Sequence, residues 1–217
     1  MSLINFCLNH IRTWQNCFIR DRFICSKQRK RLQNKDFSII SSNCNGGVIS
    51  HDLGVRFNSP TINLYMSAQD YLKLSKNLEY YMQADLQEIK DTEFSFPVGL
   101  LGGEIKLYFQ HYKNFEEAKT KWIQRAKRVN LKNLFFITTD RDGADYDFLK
   151  EIDALPYPNK LIFTAKEYPD ISCAVYCPEF EKDGCVGIMS DFCGWNGKRC
   201  YDKYFDFVEW LNKGAEK

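Results

Sequence analysis

The stretch from Phe37 to Gly54 constrains this chain most, because its structural period changes in the middle. Phe37, Ile39 and Ile40 form an apolar, β-branched run that predicts a buried strand. Ser42-Asn-Cys-Asn-Gly-Gly47 follows it. Val48, Ile49 and Leu53 then restart an apolar pattern at roughly helical spacing, with Gly54 placed as its C-terminal cap. A thiol and two glycines therefore occupy a strand-to-helix turn. In an open α/β sheet, ligands bind just beyond such carboxyl ends.

The flanking pattern extends the same architecture. Thr61–Met66 predicts a second strand, and Ser67 with Asp70 opens a helix whose apolar positions run from Tyr71 to Ile89. Val98–Leu101, Gly102-Gly103 and Glu104–Tyr112 read as a β-hairpin with a two-residue glycine turn. Ile105, Leu107, Phe109 and His111 would share one face of its second strand. Asn114 and Glu117 cap a helix bearing Phe115, Ala118, Trp122 and Val129. Asn133–Thr138 predicts a strand, Phe148–Ile152 a helix, and Lys160–Thr164 and Ile171–Tyr176 two more strands. Cys185–Met189 is a further strand candidate, and a helix with Tyr204, Val208 and Leu211 closes the chain. Alternating strands and helices predict an α/β domain over residues 36–217. The expectation is a three-layer, Rossmann-like arrangement with a mixed, mostly parallel sheet and helices on both faces.

Charge sets the first 35 residues apart. They hold eight Lys/Arg against Asp21 alone, a net charge of +7. The whole chain is only +2, so the remainder is −5. Ile4, Leu8, Ile11, Trp14 and Phe18 recur at helical spacing ahead of the basic run Lys27–Lys35. Two readings are open: a helix lying on an anionic membrane surface, or a helix packed on the body beside a solvated basic turn. Nucleic acid is not an expected partner, because the aromatics sit in the stripe rather than among the basic residues. Apolar runs are too short to cross a bilayer. Met1–Ile19 lacks the continuous apolar core of a secretory leader, so the nine cysteines are expected as reduced thiols. The five between Cys173 and Cys200 lack zinc-knuckle spacing and a nearby histidine, and read as free.

Four constellations could carry chemistry. Cys44 at a helix N-terminus would feel unpaired N–H groups and the positive dipole end, lowering its pKa. His111 is the best-placed base, and the N–H groups of Asn45, Gly46 and Gly47 could stabilise an oxyanion. The competing reading is an inert thiol tucked under a turn. Asn43, Asn45, Gly46 and Gly47 could alternatively receive a diphosphate. Asp140-x-Asp142 could share Mg²⁺ or Mn²⁺, unless Asp142 or Asp145 simply caps the next helix. Arg125 could clamp phosphate, or belong to a solvated basic face with Arg128.

Asn34-Lys-Asp-Phe-Ser-Ile-Ile-Ser-Ser-Asn-Cys-Asn-Gly-Gly47 resembles the opening signature of a bacterial domain family of unknown function. Its members are often labelled exopolysaccharide or capsular polysaccharide biosynthesis proteins. The likeness continues in Asn58-Ser-Pro60, His111-Tyr112, Trp122–Arg128, Asp140-Arg-Asp-Gly143 and Lys160–Lys166. The resemblance implies a cytoplasmic α/β domain tied to cell-surface glycan assembly, and the basic amphipathic N-terminus would bring it to the inner face of the membrane. The expected function is a transferase binding a nucleotide-activated sugar or lipid-linked glycan. The alternatives are a Cys44–His111 acyl transferase or hydrolase, and a non-enzymatic scaffold of a polysaccharide-assembly complex.

Overall fold

The computed structural model describes residues 3–91 and 93–214, with side chains from His10 onward. Its elements in chain order are α1 (Leu3–Ile19), a π-helical turn (Arg20–Cys25), α2 (Ser26–Arg31), β1 (Ser38–Ser41), α3 (Asn45–Asp52), α4 (Ala68–Lys76), α5 (Leu78–Gln83), β2 (Leu86–Ile89), β3 (Val98–Leu101) and β4 (Ile105–Tyr108), then α6 (Phe115–Ala126), β5 (Leu134–Thr139), α7 (Tyr146–Asp153), β6 (Lys160–Thr164), β7 (Ala174–Tyr176) and α8 (Phe207–Gly214). No helix among the described residues is long and apolar enough to cross a membrane.

The fold is mixed α/β with two sheets. One is parallel, in the order β1-β5-β6-β7; the other is antiparallel, in the order β2-β3-β4. Ser38–Ser41 and Leu134–Thr139 are buried at every position, as parallel strands covered on both faces must be. Alternate residues feed two cores. Ile40, Phe136 and Ile162 join α4–α7 and the small sheet. Ile39, Phe135, Ile137, Leu161 and Phe163 join Ile49 and Leu53 of α3 with Phe207, Val208 and Leu211 of α8.

The single mixed sheet is corrected to these two sheets. In β4, Ile105 and Leu107 are buried while Lys106 is exposed. A strand apolar on one face suits an antiparallel sheet laid on a core, not the doubly covered parallel sheet. The hairpin instead recruits Leu86–Ile89, which the helical pattern had absorbed. That pattern holds through Tyr81, with a break at Asn77 (φ −133°, ψ 45°). Thr61–Met66 contributes only the isolated pairing of Tyr65 with Tyr108. Among the described residues Cys185–Met189 forms no strand. Gly102 and Gly103 hold positive φ (60° and 79°) in a turn closed by Glu104 N–H donating to the Leu101 carbonyl at 3.2 Å. Ser67, Asn114 and Asp145 accept the N-terminal N–H bonds of α4, α6 and α7.

α1, the π-helical turn and α2 run on without interruption, and they dock by their polar face. Asn16 Nδ2 donates to the Gly194 carbonyl at 2.7 Å and Arg12 Nη2 to Phe192 at 3.2 Å. Arg20 donates to Asp52 and Asp202, both at 2.6 Å. Arg199 Nε adds a third contact to Asp52 at 3.0 Å. Burial pushes the Asp52 carboxyl up, but Arg199 and Arg20 outweigh it and hold the group below the usual carboxylate range. Ile11, Trp14 and Phe18 face away from the body, Trp14 with 73% of its surface exposed. The packed-helix reading of the apolar stripe is thus corrected: the helix packs, but on its other face. The side chains of Ile4 and Leu8 lie outside the described residues.

Candidate functional site

A cleft of about 750 Å³ opens where the loops after β1 and β5 meet the small sheet and the segment 187–199. Cys44, His111, Asn43, Asn45 and Asp142 all line it. The strand-end turn is held rigidly. Ser42 N–H donates to Ile137 across the sheet, and Thr138 Oγ1 donates to Ser42 Oγ at 3.0 Å. Asn43 Oδ1 accepts the Asn45 N–H at 3.1 Å, so one donor proposed for an oxyanion is already capped.

Cys44 is half-buried at the start of α3, with Gln110 Nε2 donating to its sulfur at 3.3 Å. Burial raises its pKa above that of a free thiol; the Gln110 bond only offsets this in part. The thiolate expected from the helix dipole is corrected on that physical ground. His111 lies in the turn after β4, not on the strand. Ile105, Leu107 and Phe109 are buried as a set while His111 stands exposed at the rim.

The glycines serve packing. A Cβ on Gly46 would sit 2.9 Å from Ile39 Cγ2 and 3.0 Å from Ser41 Cβ, and one on Gly47 would sit 3.3 Å from Ile62 Cγ2. They let α3 lie directly on β1, and neither lines the cleft. Arg125 is likewise internal. Its Nη1 donates to Tyr112 Oη at 2.6 Å and its guanidinium lies 5.4 Å from the Phe57 ring centre. Tyr112 Oη in turn donates to the Ile62 carbonyl at 2.8 Å, so Arg125 braces the wall behind the cleft.

The two aspartates separate. Asp140 accepts N–H bonds from Ala165 at 2.6 Å and Val186 at 2.8 Å, and burial pushes its carboxyl up. It ties β5 to β6 and to the C-terminal segment. Asp142, at φ 57°, faces the cleft and its carbonyl accepts the Ala68 N–H at the start of α4. No group of three or more His, Cys, Asp or Glu side chains that could hold a metal occurs among the described residues. Of the proposed Mg²⁺ or Mn²⁺ pair, only Asp142 lines the cleft, while both Asp140 oxygens accept backbone N–H groups. All eight cysteines with described side chains are free.

Sequence reasoning missed half of the cleft. Tyr65, Phe94 and Phe96 form an aromatic wall, extended by Tyr108, whose ring stacks on Tyr65 at 4.6 Å. Arg141 and Arg199 supply the cations, and Asp191 and Ser190 complete the rim. The Arg141 carbonyl accepts the Ala144 N–H at 3.1 Å, but its guanidinium makes no hydrogen bond or ion pair among the described residues. Arg199 is shared with Asp52 and lies 4.7 Å from the Phe192 ring centre. Arg141 was visible between the two aspartates. The aromatic wall had no signal beyond Phe94-Ser-Phe96, and Arg199 needed the fold.

A family profile described as a domain of unknown function (DUF1919) matches residues 15–212. An uncharacterized protein of Haemophilus influenzae is 43% identical over 194 residues, covering 89% of this chain and 93% of that relative. The profile's range takes in every cleft residue.

Proposed function

The chain belongs to the DUF1919 family, and on that premise we propose that it is a transferase of cell-surface polysaccharide assembly that binds a nucleotide-activated sugar or glycan in the cleft. One observation carries the reading: an aromatic wall, Tyr65 with Phe94 and Phe96, shares the cleft with the Arg141 guanidinium, which has no ion pair among the described residues. Aromatic faces take the base or the apolar face of a sugar, and a free guanidinium takes a diphosphate in bidentate fashion. Asn43 and Asp142 line the same cleft and would meet sugar hydroxyls. The likeness of Asn34–Gly47 to proteins labelled for polysaccharide biosynthesis supports the same substrate class. So do the loops gathered at the carboxyl ends of the parallel four-strand sheet. Mg²⁺ or Mn²⁺, where needed, would arrive with the diphosphate on Asp142 rather than on a preformed aspartate pair.

Calorimetry and thermal shift with UDP-, GDP- and CMP-linked sugars, each with and without Mn²⁺, test this. A ligand at about a hundred times its Kd stabilises the fold by roughly 2.7 kcal/mol, a rise of several degrees. One nucleotide class should bind, and Arg141→Ala should cut the shift by about half or more. Absence of binding across all classes and free sugars sinks the reading.

A second reading has one observation in its favour: Cys44 and His111 line the same cleft. It requires Cys44 to be alkylated faster at neutral pH than exposed Cys17, and His111→Ala to remove that advantage. The raised Cys44 pKa argues for the opposite order. A scaffold without catalysis would tolerate changes at Cys44, Asp142 and Arg141 alike.

A further inference from the structure

The N-terminal helix inverts the usual arrangement of an amphipathic surface helix. Arg12, Asn16 and Arg20, spaced four apart, turn inward onto backbone carbonyls and carboxylates. Ile11, Trp14 and Phe18 turn outward, and the Trp14 and Phe18 rings stack at 6.0 Å. Phe23 is exposed further along the same helix. Gln15 Nε2 donates to the Trp195 carbonyl at 3.3 Å, which sets the exposed Trp195 beside the stripe. Gly197 makes the docking close: a Cβ there would stand 2.9 Å from the Arg20 nitrogen. A helix that only needed to pack would bury its aromatics and leave its arginines in water. Here four buried or half-buried polar groups are engaged in order to present the apolar face outward.

We infer that this face is a docking surface for an anionic lipid bilayer. Charge selects the occupant. Arg22 follows Phe18 by four residues on the outward side, and Arg22, Lys27 and Lys30 are exposed with no ion pair among the described residues. An apolar stripe flanked by unpaired cations matches the boundary between acyl chains and anionic headgroups. A second copy is the poorer occupant, because stripe-to-stripe contact would bring together two segments of charge +7 each. The buried Arg20–Asp52–Arg199 cluster makes the stripe and the cleft one rigid unit, so docking would hold the cleft near the lipid surface. The inference stands on the helix and the segment 192–202, and does not depend on what the cleft binds.

The test is co-sedimentation of the full chain with vesicles of pure phosphatidylcholine and of a phosphatidylcholine–phosphatidylglycerol mixture, without any nucleotide sugar. The protein should bind the mixed vesicles with a blue-shifted tryptophan emission, and release as ionic strength rises. Trp14→Ser and Phe18→Ser should each weaken partitioning about tenfold. Both side chains are exposed, so thermal denaturation should be unchanged and unfolding is excluded as the cause. Arg22→Glu should weaken binding to the mixed vesicles alone. Failure to sediment with either vesicle overturns the inference, as does undiminished binding of the Trp14→Ser, Phe18→Ser double variant. A dimer in vesicle-free solution that Trp14→Ser converts to a monomer overturns it in favour of a second copy.

Discussion

Arg20 and Arg141 show how one residue type does two kinds of work. Arg20 is 3% exposed and divides its donors among Asp52, Asp202, the Gly197 carbonyl and the Tyr201 hydroxyl. Arg141 borders an open cleft, and its guanidinium makes no hydrogen bond or ion pair among the described residues. The same contrast divides Asp140 from Asp142 two residues apart: the first is engaged by two backbone N–H groups, the second faces the cleft. A buried charge without partners costs several kcal/mol, so the satisfied member of each pair belongs to the architecture. The unsatisfied member stands where water or a ligand can reach it. Satisfaction of hydrogen bonds, rather than residue type, separates structure from candidate function here.

Breaking the satisfied side should have the largest effect. Arg20→Ala removes the cation shared by buried Asp52 and Asp202, leaving both to Arg199, and is expected to lower unfolding free energy by about 3 kcal/mol in urea denaturation. A loss below about 1 kcal/mol would show that the cluster does not hold the helix to the body. The same cluster should give an acid limb to stability. Because the folded-state pKa of Asp52 is depressed, its contribution is complete above the unfolded value of about 3.9 and declines as pH falls through the lower folded value. Denaturation midpoints from neutrality down to acid should show that limb in the parent and a shallower one in Asp52→Asn.

Gly46→Ala tests whether the glycine pair serves packing or a ligand. The added methyl meets Ile39 and Ser41 at about van der Waals overlap, so a loss of about 1–3 kcal/mol is expected without change at the cleft. Normal stability with lost ligand binding would return the glycines to the site. The smallest stability effect belongs to Arg141→Ala, within about 0.5 kcal/mol of the parent. Its nucleotide-sugar affinity should nonetheless fall about ten- to hundredfold, the worth of a charge-assisted hydrogen bond. A stability loss as large as that of Arg20→Ala would erase the contrast between the two arginines.

Local pattern made much of this legible. The strand at Phe37–Ile40, the turn after it, the caps at Ser67 and Asn114, the glycine hairpin and the parallel strands at Leu134 and Lys160 all follow from residues adjacent in sequence. The turn at Asn43–Asn45 and the loop at Asp142 were correctly placed at strand ends, and both reach the cleft. What adjacency could not decide was which side chains are already occupied. Asp140 and Asp142 are chemically identical, and only Ala165 and Val186, at least 25 residues distant, make one of them structural. Cys44 sits at a helix start as expected, but its pKa follows from how much water the neighbouring walls exclude.

The N-terminal helix draws the same line. Its stripe, its period and its charge of +7 are properties of the sequence alone. Which face turns inward is not, because that depends on partners such as Asp52, Gly194 and Asp202, up to about 180 residues away along the chain. Periodicity reports that a helix has two faces, since it arises from the geometry of one element. The choice between them rests on the free energy of contacts with other elements, and here a buried ionic cluster outweighs an apolar stripe. The tertiary structure decided that, and with it which residues remain free to meet a ligand or a surface.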